Sequence, residues 1–275
     1  MQAQDSKALR LGFLVPSSNT VVEPVTYQLL QALPHPQPSA HFARLRVVRV
    51  HSDSGAQFDN ERRIEAASSL ADALCDAIAW NGTSASWLGL QQDRDLCSAL
   101  TSSCMLPTTS SSLATIAALT ALRARTYALV TPYTDDIQVP ASSRSTPTAR
   151  VTAAQASILT NYSACGFECV GEVHMRITVN TDIGRVPVAA LVQHCDAVCK
   201  SASAAPDAII LLCTNLTLHG EASSVEQQTG ATLIDSVYVT LWHTLQLLGV
   251  NTQPLQQRYG KVFSLQLRQQ SDGSQ

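Results

Sequence analysis

The 275-residue sequence repeats one series of apolar segments, and this repeat restricts the possible folds more than any other feature. Each series has an apolar segment that ends in proline, a longer apolar segment, a segment that begins Asp-Ala-Ile, and a short segment that leads into a helix. The repeat predicts two similar halves. The first series reads LRLGFLVPSSNT, HFARLRVVRVHS, DAIAWNGTS and MLPTTSSSLATIAAL, and the second reads RTYALVTPYTDD, FECVGEVHMRIT, DAIILLCTN and ATLIDSVYVTLWHTL.

Helical segments rich in Ala and Leu alternate with these apolar segments, which is typical of an α/β protein with parallel strands. Residues 62–75, for example, place Ile64, Ala67, Leu70 and Leu74 on one helical face. We therefore predict an α/β fold of two pseudosymmetric Rossmann-like halves. Each half has a small parallel sheet, and the active-site cleft lies between the halves.

The length of the chain is sufficient for two compact halves with a core. We predict a first half at 1–118, completed by a C-terminal helix at about 236–265, and a second half at 119–235. The helix itself, at about 236–249, is expected to cross back toward the first half. The polar residues 266–275 predict a disordered tail.

Composition and charge restrict the partners. The formal net charge is −3 and no cluster of Lys and Arg forms a stripe, so nucleic acid is not an expected partner. No stretch reaches the ~18 apolar residues of a membrane span, and the N-terminus has no apolar leader, so we expect no membrane contact and a cytoplasmic location. Formation of a homo-oligomer is left open.

The eight cysteines and the common motifs predict no metal or cofactor. Cys195 and Cys199 lie one helical turn apart beside His194, but no second ligand pair stands nearby, which favours a helix face with small apolar thiols. The sequence has no P-loop, GxGxxG or HExxH motif. We therefore expect chemistry that needs no metal, nucleotide or flavin.

Four polar turns follow predicted strands, at the edge where parallel sheets bind their ligands. If the halves face each other, these turns line one cleft. Backbone N–H groups with the hydroxyls of Thr83, Ser84 and Tyr133 can hold a carboxylate or an enediolate without a cation. A strand–turn–helix joint with a Ser or Thr N-cap explains a single turn equally well. The turns are Pro16–Thr20, containing Asn19, then Gly82–Ser84, Pro132–Thr134 and Cys213–Asn215, containing Thr214.

Alignment of the two Asp-Ala-Ile segments places Gly82 at the position of Cys213. A cleft with one thiol can deliver a proton to one side of a carbon only. A free thiol titrates near ~8.5 and burial raises its pKa, so Cys213 would be a protonated donor at neutral pH. The alternative is that Cys213 is a small buried core residue.

Six short motifs resemble the aspartate/glutamate racemase superfamily, in particular its maleate cis–trans isomerase and arylmalonate decarboxylase branch. The resemblance covers about residues 10–265. It implies that Cys213 is the proton donor, and that Thr83, Ser84, Tyr133 and the backbone of the Thr214–Asn215 turn hold the retained carboxylate of a small dicarboxylic acid. The motifs are VPSSNTVVEP, GTSASW, TPYTDD, ITVNTDIGR, LLCTNLTL and RYGKVF.

The resemblance is mixed between the two branches. Isomerases have a nucleophilic cysteine at the position of Gly82. The decarboxylase resembles this chain instead, because its turn also begins Gly-Thr-Ser. Asn19 and Asn180, however, match positions that bind the second carboxylate in the isomerases. We expect decarboxylation of a substituted malonate or small dicarboxylic acid. Isomerisation or racemisation of a dicarboxylate, and carboxylate binding without catalysis, are the alternatives.

Overall fold

The computed structural model describes residues 8–47, 60–138 and 157–267. Two four-stranded sheets form the centre of the molecule, and all neighbouring strands within each sheet are parallel. Their spatial orders are β2-β1-β3-β4 and β6-β5-β7-β8, so both sheets have the same topology. The predicted fold class is therefore confirmed. The strands are β1 Arg10–Pro16, β2 Ser39–Leu45, β3 Ala77–Trp80, β4 Thr108–Ser110, β5 Thr126–Thr131, β6 Glu168–His174, β7 Ala208–Leu211 and β8 Thr232–Asp235.

Helices cover the faces of both sheets and connect the strands. The longest of them in the described ranges has 15 residues, and no helix there is long and apolar enough to cross a membrane. The helices are α1 Val22–Gln31, α2 Asn60–Asp72, α3 Ala85–Leu88, α4 Leu90–Cys104, α5 Ser111–Leu122, α6 Asp135–Gln138, α7 Ile158–Ala164, α8 Asn180–Ile183, α9 Val188–Ser201, α10 Ala222–Thr229, α11 Ser236–Leu247 and α12 Gln256–Tyr259, with 3-10 turns at Gln253–Leu255 and Lys261–Ser264.

The helix predicted at 62–75 is present as α2, with different ends and a different buried face. Its buried residues are Arg63, Ala67 and Leu70. The prediction that Leu74 shares this face is wrong, since the helix ends at Asp72 and Leu74 is 63% exposed. Leu74 has a φ of 56°, so the chain has already turned toward β3 at this point.

The central strands of both sheets are completely buried. Every residue of β3 and β7 is buried, as expected for parallel strands with helices on both faces. Their sequences, AIAW and AIIL, are correspondingly apolar throughout. The two polar turns after these strands therefore start from fixed points inside the molecule.

Helix α11 packs between the two halves of the molecule. It follows β8, and it contacts α5, α1, β3 and β4 of the first sheet's half. A hydrogen bond of 2.7 Å from the Thr240 hydroxyl to the Ser111 hydroxyl joins α11 to α5. The division at 118 and 119 stays a prediction, and α5 spans this boundary. The predicted tail lies outside the described residues from 268 onward.

Candidate active site

The turns that follow β1, β3, β5 and β7 contact one another where the two halves meet. The Asn19 side-chain amide donates to the Thr214 carbonyl at 3.0 Å and to its hydroxyl at 3.2 Å. The Thr214 hydroxyl in turn donates to the Asn81 carbonyl at 3.2 Å. The Thr83 and Tyr133 hydroxyls form a hydrogen bond of 2.6 Å. Side chains from both halves therefore form one connected polar site.

A small cavity lies at this junction. Its volume is about 30 Å³, which is room for roughly one or two water molecules. None of the lining residues, all in the described part of the chain, has a charged side chain. They are Pro16, Val47, Trp80, Gly82, Thr83, Ser84, Trp87, Asn180 and Thr214.

Five of the nine predicted site residues line this cavity directly, namely Gly82, Thr83, Ser84, Asn180 and Thr214. The other four are buried behind them, each at most 4% exposed. They reach the lining residues through the hydrogen bonds described here or through the chain itself. These four are Asn19, Tyr133, Cys213 and Asn215.

The Cys213 thiol is buried and receives two hydrogen bonds. The Asn215 N–H donates to its sulfur at 3.4 Å, and the Tyr133 hydroxyl also forms a hydrogen bond with it. Burial raises the pKa of the Cys213 thiol to about 11, although these hydrogen bonds partly offset the effect. The buried carboxyl of Asp235 adds a smaller increase. The thiol is therefore protonated at neutral pH.

Tyr133 connects the thiol to the turn after β3. Burial raises its pKa well above the usual range, so its hydroxyl is also protonated. The ring packs against Trp87, with ring centroids 4.9 Å apart at an angle of 60°. Because Thr83 and Tyr133 are both neutral donors, they can hold an anionic oxygen without a counter-charge.

The three asparagines of the site hold its turns together. The Asn19 side-chain oxygen accepts two backbone N–H groups at the start of α1, both at 2.9 Å. Asn215 donates to the Asn180 carbonyl at 2.5 Å and accepts from the Thr20 N–H at 3.0 Å. The Asn180 amide donates to the Ser18 hydroxyl at 2.8 Å. Asn180 alone of the three lines the cavity, and its role in carboxylate binding stays a prediction.

Side-chain packing explains the glycine at position 82. In the structure, a Cβ at this position would lie 2.2–2.5 Å from the indole ring of Trp80. The backbone of Gly82 has no positive φ that would require glycine. Space for the Trp80 ring is therefore what excludes a side chain.

The sequence analysis did not single out Trp80, which forms the first-half wall of the cavity, or Arg63 and Asp93, which lie behind it. The Arg63 guanidinium lies 5.2 Å from the centroid of the Trp80 ring, although Arg63 is only 4% exposed. Asp93 is 1% exposed and forms hydrogen bonds with Ser110 and Ser112. Burial raises the pKa of Asp93 to about 6, although the hydrogen bonds and the Arg63 charge lower it. The only indication of this cluster in the sequence was Arg63, an arginine among the residues that α2 buries.

A second buried carboxyl lies at the end of β8. Asp235 accepts backbone N–H groups from Val237 at 2.8 Å and Tyr238 at 3.3 Å, which caps α11, and one from Leu218 at 3.3 Å. Burial raises its pKa to about 6. Among the described residues, no group of three or more His, Cys, Asp or Glu could hold a metal ion. The absence of a cofactor stays a prediction.

Two pseudosymmetric α/β halves, with an uncharged cavity and a buried thiol at their junction, define the class of the protein as a two-half α/β enzyme. The chain belongs to the arylmalonate decarboxylase family, whose family model matches residues 11–263. The resemblance predicted from the motifs is thereby confirmed. The activity is of the decarboxylase or isomerase type that is found among its relatives.

Known relatives come from both branches. A maleate isomerase from Geobacillus stearothermophilus is 24% identical over 259 residues, which cover 90% of this chain and 94% of the relative. A maleate isomerase from Pseudomonas putida, solved with maleate, has a TM-score of 0.77 at 22% identity and covers 94% of this chain and 98% of its own. An arylmalonate decarboxylase has a TM-score of 0.69 at 23% identity and covers 93% and 99%. At these identities the structural matches support the fold.

Proposed function

We propose that the protein is a cofactor-independent decarboxylase of a substituted malonate or a similar small dicarboxylic acid. The observation that carries this proposal is the asymmetry of the site. The second half has a buried, protonated thiol at Cys213, whereas the first half has Gly82 and the indole of Trp80. This combination suits delivery of a proton to one side of a carbon.

The proposed reaction has two steps. The bond between the α-carbon and the leaving carboxylate breaks, carbon dioxide departs, and the electron pair remains as an enediolate on the retained part. Thr83 and Tyr133 would donate hydrogen bonds to the enediolate oxygens, which stabilises the charge that develops there. The Cys213 thiol then gives its proton to the α-carbon, and the resulting thiolate takes a proton from water.

The pKa of Cys213 supports the role of proton donor. A nucleophilic cysteine reacts as the thiolate, which a pKa of about 11 makes rare at neutral pH. An enediolate is a strong base, so a thiol with this pKa can still protonate it. The alternative activity is isomerisation of a dicarboxylate, which the maleate isomerase relative and the asparagines of the site favour. That activity would need a substitute for the missing second cysteine.

A panel of substituted malonates and unsaturated diacids tests the proposal, with NMR analysis of the products. Decarboxylation gives a monoacid with one carbon fewer, whereas isomerisation keeps the carbon count. Tyr133→Phe, which removes a donor while keeping the ring, is the matched variant and should lower the rate. Conversion of a diacid to its geometric isomer, or binding of diacids without any turnover, would contradict the proposal.

A further inference from the structure

We propose that Trp80 is the specificity-determining residue of this site, because its indole takes the space that a side chain at position 82 would occupy. The placement of Trp80 does not depend on the proposed function, and only the effects that we expect on turnover rest on it. In the aligned Asp-Ala-Ile segments, Trp80 corresponds to Leu211 and Gly82 to Cys213. Residues two apart along a strand point to the same face. In the first half the bulky Trp80 leaves space only for glycine at position 82. In the second half the smaller Leu211 leaves space for the Cys213 thiol.

The space for a side chain at position 82 is taken up by the Trp80 ring. A Cβ there would lie 2.2 Å from Cε2, 2.3 Å from Cζ2 and 2.5 Å from Nε1 of the Trp80 ring. Contacts of this length do not occur in folded proteins, so either the ring or the backbone would have to shift. No other side chain lies among the nearest atoms at this position. The conflict therefore belongs to the pair Trp80 and Gly82.

Contacts on the side away from the cavity also fix the position of the Trp80 indole. Trp80 is fully buried, and the Arg63 guanidinium stacks over it at 5.2 Å from the ring centroid. A desolvated cation over an indole face is attracted to the ring and stabilises its position. The charge of Arg63 is in turn close enough to Asp93 to lower the pKa of that carboxyl. This support comes from α2 and α4, so the indole is part of a packed layer.

Two consequences follow for the site. The first-half wall is an aromatic surface that cannot donate or accept a proton at the α-carbon, so chemistry is confined to the Cys213 side. The ring also lines the cavity of about 30 Å³, so we expect Trp80 to restrict the size of the group that the α-carbon can carry. A leucine at position 80 would copy the arrangement of the second half.

A thermodynamic cycle tests the placement of Trp80 without any turnover. The thermal unfolding midpoint is measured for Gly82→Ala, Trp80→Leu and the double variant. Overpacking should lower the midpoint of Gly82→Ala by roughly 2–12 °C. In the Trp80→Leu background the same change should lower it by less than a third as much. Trp87→Leu is the matched control, because Trp87 also lines the cavity but supplies none of the three atoms nearest to a Cβ at position 82, and it should give no comparable relief.

Stereochemistry tests the consequence for catalysis. Trp80→Leu alone should keep the enantiomeric excess of the product and should accept a larger α-substituent. Trp80→Leu combined with Gly82→Cys should yield nearly racemic product, since a thiol then stands on each side. Equal losses of midpoint in both backgrounds, or an active double variant with unchanged enantiomeric excess, would overturn the inference. If the parent turns over no diacid, the proposed function fails, while the unfolding cycle still decides the position of Trp80.

Discussion

At the scale of single residues, the state of the Cys213 thiol decides what the site can do. Burial holds the proton on the sulfur, and the hydrogen bond from the Asn215 N–H favours the thiolate that forms after transfer. The Tyr133 hydroxyl contacts the same sulfur, and in the proposed reaction its single proton turns to the enediolate. The same tyrosine is linked to Thr83 in the opposite turn. Proton donation and anion binding are therefore connected through one hydroxyl.

Replacing Cys213 should separate rate from stability. Cys213→Ala should lower kcat by about 10²–10⁴-fold, because a positioned proton donor is lost, and should lower the unfolding midpoint no more than Cys97→Ala does. Cys213→Ser should be almost as slow, since a hydroxyl is a weaker acid than a thiol. Steady-state kinetics and thermal unfolding measure the two effects.

Cys97 provides the matched control for this experiment. It is also buried, and burial raises its pKa to about 12, but it lies in α4 and not in one of the four turns of the site. Cys97→Ala should lower the midpoint and keep kcat within about twofold. A Cys213→Ala variant as fast as the Cys97→Ala variant would show that Cys213 is a core residue.

At the scale of elements, α2 and α4 build the wall behind β3. Arg63 from α2 lies over Trp80 of β3, and Asp93 from α4 reaches Ser110 and Ser112 at the junction of β4 and α5. The sequence analysis predicted α2 and the strand segments but not these contacts, because they join residues that are far apart along the chain. Polar residues in buried helix faces become informative only once the packing is known.

The buried Asp93 carboxyl should make stability depend on pH. Its pKa is about 6 in the folded protein and near 3.8 when exposed, so the folded state binds more protons between these values. The free energy of unfolding should therefore fall as pH rises from about 4 to 6, by on the order of 2–3 kcal/mol for a full contribution. Denaturant unfolding at intervals across this range measures the slope.

Asp93→Asn isolates this contribution, because the amide keeps hydrogen-bonding capacity and does not titrate. Asp235, whose pKa is also about 6, and the other carboxyls remain in both proteins, so the difference between the two slopes reports Asp93. The variant should lose less stability between pH 4 and 6, whatever its absolute stability. Equal slopes would show that Asp93 titrates normally.

At the scale of the whole molecule, the internal repeat accounts for most of what could be predicted. The two sheets have identical strand orders, and the four turns meet at one junction. The equal strand orders follow from the repeat, and the meeting of the turns follows from the rule that parallel strands present their carboxyl ends at one edge. The repeat also located Gly82 opposite Cys213 in sequence, before any geometry was known.

The repeat could not predict how the two halves differ. Trp80 and Leu211 occupy equivalent positions, yet the indole makes position 82 unable to hold a side chain. The misplaced end of α2 at Leu74 has a similar origin, since helical periodicity continues beyond the point where the chain turns toward β3. Local patterns therefore gave the elements, and tertiary packing determined the chemistry of the wall.

Decarboxylation of a substituted malonate in deuterated water tests the central claim most directly, because it reports both the bond broken and the side from which the proton arrives. With the parent protein we expect carbon dioxide release and a monoacid that carries one deuteron at the α-carbon, in large enantiomeric excess by chiral chromatography and NMR. Cys213→Ala should abolish this product. The malonate carries two different α-substituents, so the product is chiral and has a single α-hydrogen position. A racemic monoacid would contradict the account of a single proton donor.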